Sequence, residues 1–122
     1  MARVLVIEDD GDFRNTLTAM LRSADHEVQS VSNGREALEL LASATYDLLI
    51  TDILMPEVDG IELLTAMRKM SSRLPVIAIS GGGSMPASLA LSLSTSLGAS
   101  AVLFKPFYAQ ELLETVDRVL SV

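Results

Sequence analysis

Five short apolar runs, rich in β-branched residues, alternate along the chain with longer segments in which apolar residues recur every three or four positions. That alternation is the pattern of βα units built around a parallel sheet. It predicts strands over Arg3 to Ile7, Glu27 to Val31, Leu48 to Thr51, Pro75 to Ser80 and Ala101 to Phe104. The first, third and fourth are almost wholly apolar, as strands covered on both faces should be. The second carries Glu27, Gln29 and Ser30 and is expected at an edge. Helix starts are marked as well. Asn33 and Asp59 each stand three residues before a glutamate, Glu36 and Glu62, which is the spacing of a capping box. Ser84, ahead of Met85 and Pro86, can cap a fourth helix. In the last helix Leu112, Leu113, Val116, Val119 and Leu120 form one apolar stripe. The fourth, from Met85 to Leu97, has no charge; its spacing predicts Leu89, Leu93 and Leu97 on the buried side and Leu91 roughly opposite.

At 122 residues and 49% hydrophobic content the chain can bury one core, so one domain over residues 1–122 is expected, with no effector domain. A net charge of -7 disfavours direct nucleic-acid binding, which relies on cations that neutralise phosphates. With no cysteine, disulfides and thiolate metal sites are excluded. The apolar run after Met1-Ala2-Arg3 is too short for a signal peptide, and no stretch approaches the ~20 apolar residues of a membrane span. The expectation is a cytoplasmic protein with no membrane partner.

Candidate chemistry lies at the ends of the strands. Glu8, Asp9 and Asp10 follow the first, Asp52 follows the third, Ser80 ends the fourth and Lys105 follows the fifth. Neighbouring parallel strands would gather these groups in the crevice at the carboxyl end of the sheet. Two carboxylates about 4 Å apart at an effective dielectric of about 20 repel by about 4 kcal/mol. The cluster therefore calls for a counter-charge or a raised pKa. A divalent cation held by hard oxygens suits it, with Asp52 as a nucleophile toward phosphorus and Lys105 and Ser80 as donors to phosphoryl oxygens. Asp10 fits the first turn of the helix that follows. His26, the lone histidine, is expected in a solvated turn and not as a phosphodonor.

At these residues the chain resembles the receiver domain of two-component response regulators. The motifs are Val4-Leu5-Val6-Ile7-Glu8-Asp9-Asp10, Asp52-Ile53-Leu54-Met55-Pro56-Glu57-Val58-Asp59-Gly60 and Lys105-Pro106-Phe107. The resemblance implies an α/β, flavodoxin-like (βα)5 fold, doubly wound, with strand order 2-1-3-4-5. It implies Asp52 as phosphoacceptor in a phosphorelay, taking a phosphoryl group from a phosphohistidine of a histidine kinase or phosphotransfer protein. Such a protein is a switch that catalyses only its own phosphorylation and dephosphorylation. It further implies Mg2+ (or Mn2+) held by Asp9 and Asp52, by Glu8 through water and by the backbone carbonyl of Leu54. Ser80 would take the place of the family's threonine or serine, with Gly81 leaving space for the phosphoryl group. A cis Lys105-Pro106 bond would turn the lysine into the pocket.

Two departures qualify the resemblance. Val102 stands where many members carry an aromatic ring, so signalling is expected to run through Ser80, the Gly81-Gly82-Gly83 loop and the fourth helix. The uncharged outer face of that helix is a candidate surface for a downstream protein or a second copy. Two rivals are weighed against this reading. A haloacid-dehalogenase-type phosphatase needs an aspartate at position 54, where Leu54 stands. A phosphate-independent binding module would have no use for the full set of acids with Lys105.

Overall fold

The apolar runs assemble into one parallel sheet in the order β2-β1-β3-β4-β5. The strands are β1 Arg3–Ile7, β2 Glu27–Val31, β3 Leu48–Asp52, β4 Val76–Ser80 and β5 Ala101–Phe104. Helices α1 Gly11–Ser23, α2 Gly34–Ser43, α3 Gly60–Lys69 and a carboxyl-terminal helix, Ala109–Leu120, cover the sheet. This is the flavodoxin-like, doubly wound fold. The computed structural model describes residues 2–53, 60–69, 73–81, 86, 88, 89, 92, 95 and 98–121. Expectations at Leu54, Asp59, Gly82, Gly83, Ser84, Leu91, Leu93 and Leu97 lie outside the described residues.

Because strand side chains alternate between faces, each strand feeds two cores. Val4, Val6, Leu48, Ile50, Ile77, Ile79 and Leu103 pack with Leu17 and Leu21 of α1 and Leu112 and Val116 of the carboxyl-terminal helix. Leu5, Ile7, Leu49 and Val76 pack on the other side with Ala37 of α2 and Leu63 and Met67 of α3. Strands buried on both sides have no polar face to spare, hence their uniform apolar sequence. β2, with its mixed composition, is an edge, as expected.

Local signals explain the helix starts. Asp10 caps α1, its carboxylate accepting from the backbone N–H of Asp12 at 3.0 Å and of Phe13 at 3.2 Å. Asn33 caps α2, accepting from the Glu36 N–H at 2.9 Å. Such caps satisfy backbone donors that the helix itself leaves unpaired.

Two expectations need correction. His26 is not solvated: it is 9% exposed, and its Nδ1 accepts a hydrogen bond from the Ala2 N–H at 3.1 Å. Pairing of β1 with β2 brings this about, since the Glu27 N–H donates to the Ala2 carbonyl and draws the amino terminus onto the imidazole. Leu89 is not on a buried face: it is 47% exposed. Helical Ser88, Leu89, Ser92 and Thr95 are all exposed, so Leu89 falls within a hydroxyl-bearing stripe that takes the water side. No helix among the described residues is long and apolar enough to cross a membrane.

Candidate functional site

Sheet register decides which side chains meet. Val6 pairs with Ile50 and Ile7 with Thr51, so continuing by one position sets Glu8 beside Asp52. Ile79 pairs with Leu103 and Ser80 with Phe104, and the next step sets Gly81 beside Lys105. Glu8, Asp52 and Lys105 share the parity of Val6, Ile50 and Leu103, the residues that face α1. Three chain segments thus deliver their polar groups to one side of one sheet end.

The Lys105 amine bridges the acids, donating to Glu8 Oε1 at 3.1 Å and to Asp52 Oδ2 at 3.2 Å. Glu8 is 1% exposed and Asp52 8% exposed, while Asp9 faces solvent. Oxygens of Glu8, Asp9 and Asp52 all lie within 4.8 Å of one another. Glu8 also accepts from the Asp10 N–H at 3.1 Å, and its carbonyl accepts from Arg14 at 2.8 Å. Burial pushes the Glu8 carboxyl up to about 7; the hydrogen bond from the Asp10 N–H works the other way, and the nearby Asp9 and Asp52 carboxylates add to the rise. For Lys105, burial works against the charged amine, but the negative charge of Asp52 and the contacts with Glu8 outweigh it and hold its pKa above the ordinary value.

Among the described residues one ammonium faces three carboxylates, and the neighbouring acids add to the rise that burial produces in the Glu8 pKa. Hard oxygen donors, two buried and one open to water, fit Mg2+, which binds through few carboxylates and keeps several waters. The carbonyl of Leu54, the remaining expected ligand, is outside the described residues.

Ser80 sits at the end of β4, one strand away from Asp52 and half-buried. Its carbonyl accepts from the Lys105 N–H at 2.8 Å. Among the described residues its hydroxyl makes no hydrogen bond to Glu8, Asp9, Asp52 or Lys105. Gly81 also makes room for the lysine. The space above it is filled by the Lys105 stem: a Cβ there would lie 2.6 Å from the lysine Cδ. The Lys105-Pro106 bond is cis. Phe13, which the strand-end pattern did not single out, places its ring under the amine, 4.2 Å from Nζ to the centroid. Phe107 makes an edge-to-face pair with that ring, the centroids 5.8 Å apart and the planes at 74°. The Phe107 ring was legible within the lysine motif; the approach of Phe13 depends on how α1 lies over the sheet end.

Comparison with known proteins gives the same answer from end to end. A family model described as the response regulator receiver domain matches residues 4–117. The response regulator receiver protein CpdR of Brucella abortus is 36% identical over 121 residues, covering 98% of both chains. The transcriptional regulatory protein PrrA of Mycobacterium tuberculosis is 36% identical over 118 residues, and there the chain spans about half (49%) of the relative's length. Among solved structures, a response regulator from Chloroflexus aurantiacus superposes with a TM-score of 0.91 at 32% identity, over 99% of this chain and 98% of that one. Receiver domains bind Mg2+ at an acidic pocket and work with histidine kinases and downstream targets. With the strand order, the acid cluster and these matches in agreement, the chain belongs to the response regulator receiver domain family.

Proposed function

We propose that the protein is the phosphoacceptor switch of a two-component phosphorelay, with Asp52 taking the phosphoryl group from a phosphohistidine. The observation that carries this reading is the Lys105 amine held between Glu8 and Asp52, beside an open acidic cluster. An Asp52 carboxylate oxygen forms the new P–O bond as the P–N bond to the donor imidazole breaks, and the electron pair stays on the imidazole nitrogen. Lys105 donates to phosphoryl oxygens as charge builds on them, and the Ser80 hydroxyl turns to another. Groups fixed before the reaction need no reorganisation during it, which is why such donors count heavily. Glu8, Asp9 and Asp52 would hold Mg2+, which would supply positive charge toward the phosphoryl oxygens. Rearrangement of Ser80, the loop after it and the helix that follows would then alter the surface offered to a downstream protein.

Intact-mass measurement after incubation with phosphoramidate and Mg2+ tests the proposal. One phosphoryl group is expected on the natural chain and none on Asp52→Asn. An unmodified natural chain, or equal modification of both, would refute it. A second expected result concerns the floor beneath the lysine. Gly81→Val must push the Lys105 stem aside, since even a Cβ would lie 2.6 Å from Cδ. An ångström of misplacement can cost on the order of a hundredfold in rate, so labelling is expected to slow at least about tenfold. An unchanged rate would show that the amine is not held from this side.

A further inference from the structure

We propose that Phe13 is a positioning residue for Lys105: its ring, braced by Phe107, holds the amine in place when the carboxylates change partners. This deepens, and rests on, the phosphoacceptor reading of Asp52. A lysine side chain is flexible and its head is a point charge, so its position must be imposed from outside. Five contacts impose it here. The Lys105 N–H is tied to the Ser80 carbonyl, the stem lies over Gly81, the amine bonds Glu8 and Asp52, and the amine sits 4.2 Å from the Phe13 centroid. At that distance the negative face of the ring attracts the ammonium.

The carboxylate contacts are conditional. Glu8 and Asp52 are the groups a dication would engage, and Asp52 is the group that would be esterified. The attraction of the ring depends on neither event. Its own position is fixed twice over. The Phe13 N–H donates to the capping Asp10 carboxylate at 3.2 Å, which fixes the backbone, and the edge-to-face pair with Phe107, at 5.8 Å and 74°, fixes the plane. Edge-to-face pairs are themselves attractive, since the positive edge of one ring rests against the negative face of another.

The test replaces Phe13 by pentafluorophenylalanine, which keeps the shape of the ring and reverses the sign of its face, beside Phe13→Tyr and Phe13→Leu. With phosphoramidate and Mg2+, the fluorinated and leucine proteins are expected to label roughly three- to tenfold more slowly, and the tyrosine protein within about twofold of the natural rate. A fluorinated protein that labels at the natural rate would overturn the proposal. A second measurement needs no phosphodonor. In a double-mutant cycle of Phe13→Leu with Lys105→Met, followed by urea unfolding, the two changes are expected to couple by about threefold or more in the folding constant. Additive effects would overturn the ring–amine contact. If the natural chain took no phosphoryl group, the functional reading would fall, and the cycle would still decide the contact.

Discussion

Lys105→Ala is expected to slow labelling of Asp52 by small phosphodonors by roughly a hundred- to a thousandfold, the loss typical of one preorganised donor to a developing oxyanion. The amine is within hydrogen-bond distance of both Asp52 and Glu8, so it already occupies the region a phosphoryl oxygen would enter. Its removal also takes an ammonium from between two buried carboxylates. Those carboxylates should then hold a dication at least as tightly as before. The expected signature is therefore a split: Mg2+ affinity retained or increased, labelling rate strongly reduced. Rapid-mixing labelling at saturating Mg2+, beside calorimetric Mg2+ titration, measures both. A labelling rate within about threefold of the natural one would remove Lys105 from the reaction, since that is below the loss expected of such a donor.

Glu8 should dominate how the metal-free protein responds to pH near neutrality. Its carboxyl lies at about 7, above the ordinary 4.5, so folding takes up a proton between those values. A raised pKa contributes stability that is complete below the ordinary value and lost as pH rises through the folded one. The span of roughly two and a half pKa units corresponds to on the order of 3 kcal/mol. The pKa of Lys105, raised above 10.5, is lost only in strong alkali and adds no slope here. Glu8→Gln is therefore expected to stabilise the metal-free protein at about pH 8 by roughly 1 to 3 kcal/mol relative to the natural chain, with little difference at about pH 5. The same change should weaken Mg2+ binding. In the natural chain, affinity should fall by up to about tenfold for each unit of pH below 7, because a proton must leave before the dication can be served. Urea titrations of both proteins across this range are the check; parallel stability curves would show that Glu8 does not carry a buried negative charge.

Much of this architecture was legible because it depends on neighbours in sequence. Uniformly apolar β1, β3 and β4 announced a sheet covered on both faces, and Asp10 and Asn33 announced helix starts through contacts two or three residues away. Acids after β1 and β3 and a lysine after β5 were legible as a site because parallel strands end on the same side. What escaped depends on distant segments meeting. His26 is buried by Ala2, 24 residues away. Leu89 was assigned to a face from its spacing with other leucines, although the serines and threonine around it form the stripe that water covers. At Gly81 the absent side chain makes room for the stem of Lys105, which follows the neighbouring strand. Phe13 gave no signal as a partner of Lys105, since an aromatic residue in the first turn of an amphipathic helix is ordinarily read as core.

Strand alternation also sets a condition on when the acid cluster can exist at all. Glu8, Asp52 and Lys105 meet because β1, β3, β4 and β5 pair in one alignment. A slip of one residue in β3 would turn Asp52 to the α2 and α3 side, away from the ammonium. A chain still searching for its pairing thus has its acids and its ammonium on different sides of the sheet, and the assembled cluster is a mark of completed folding.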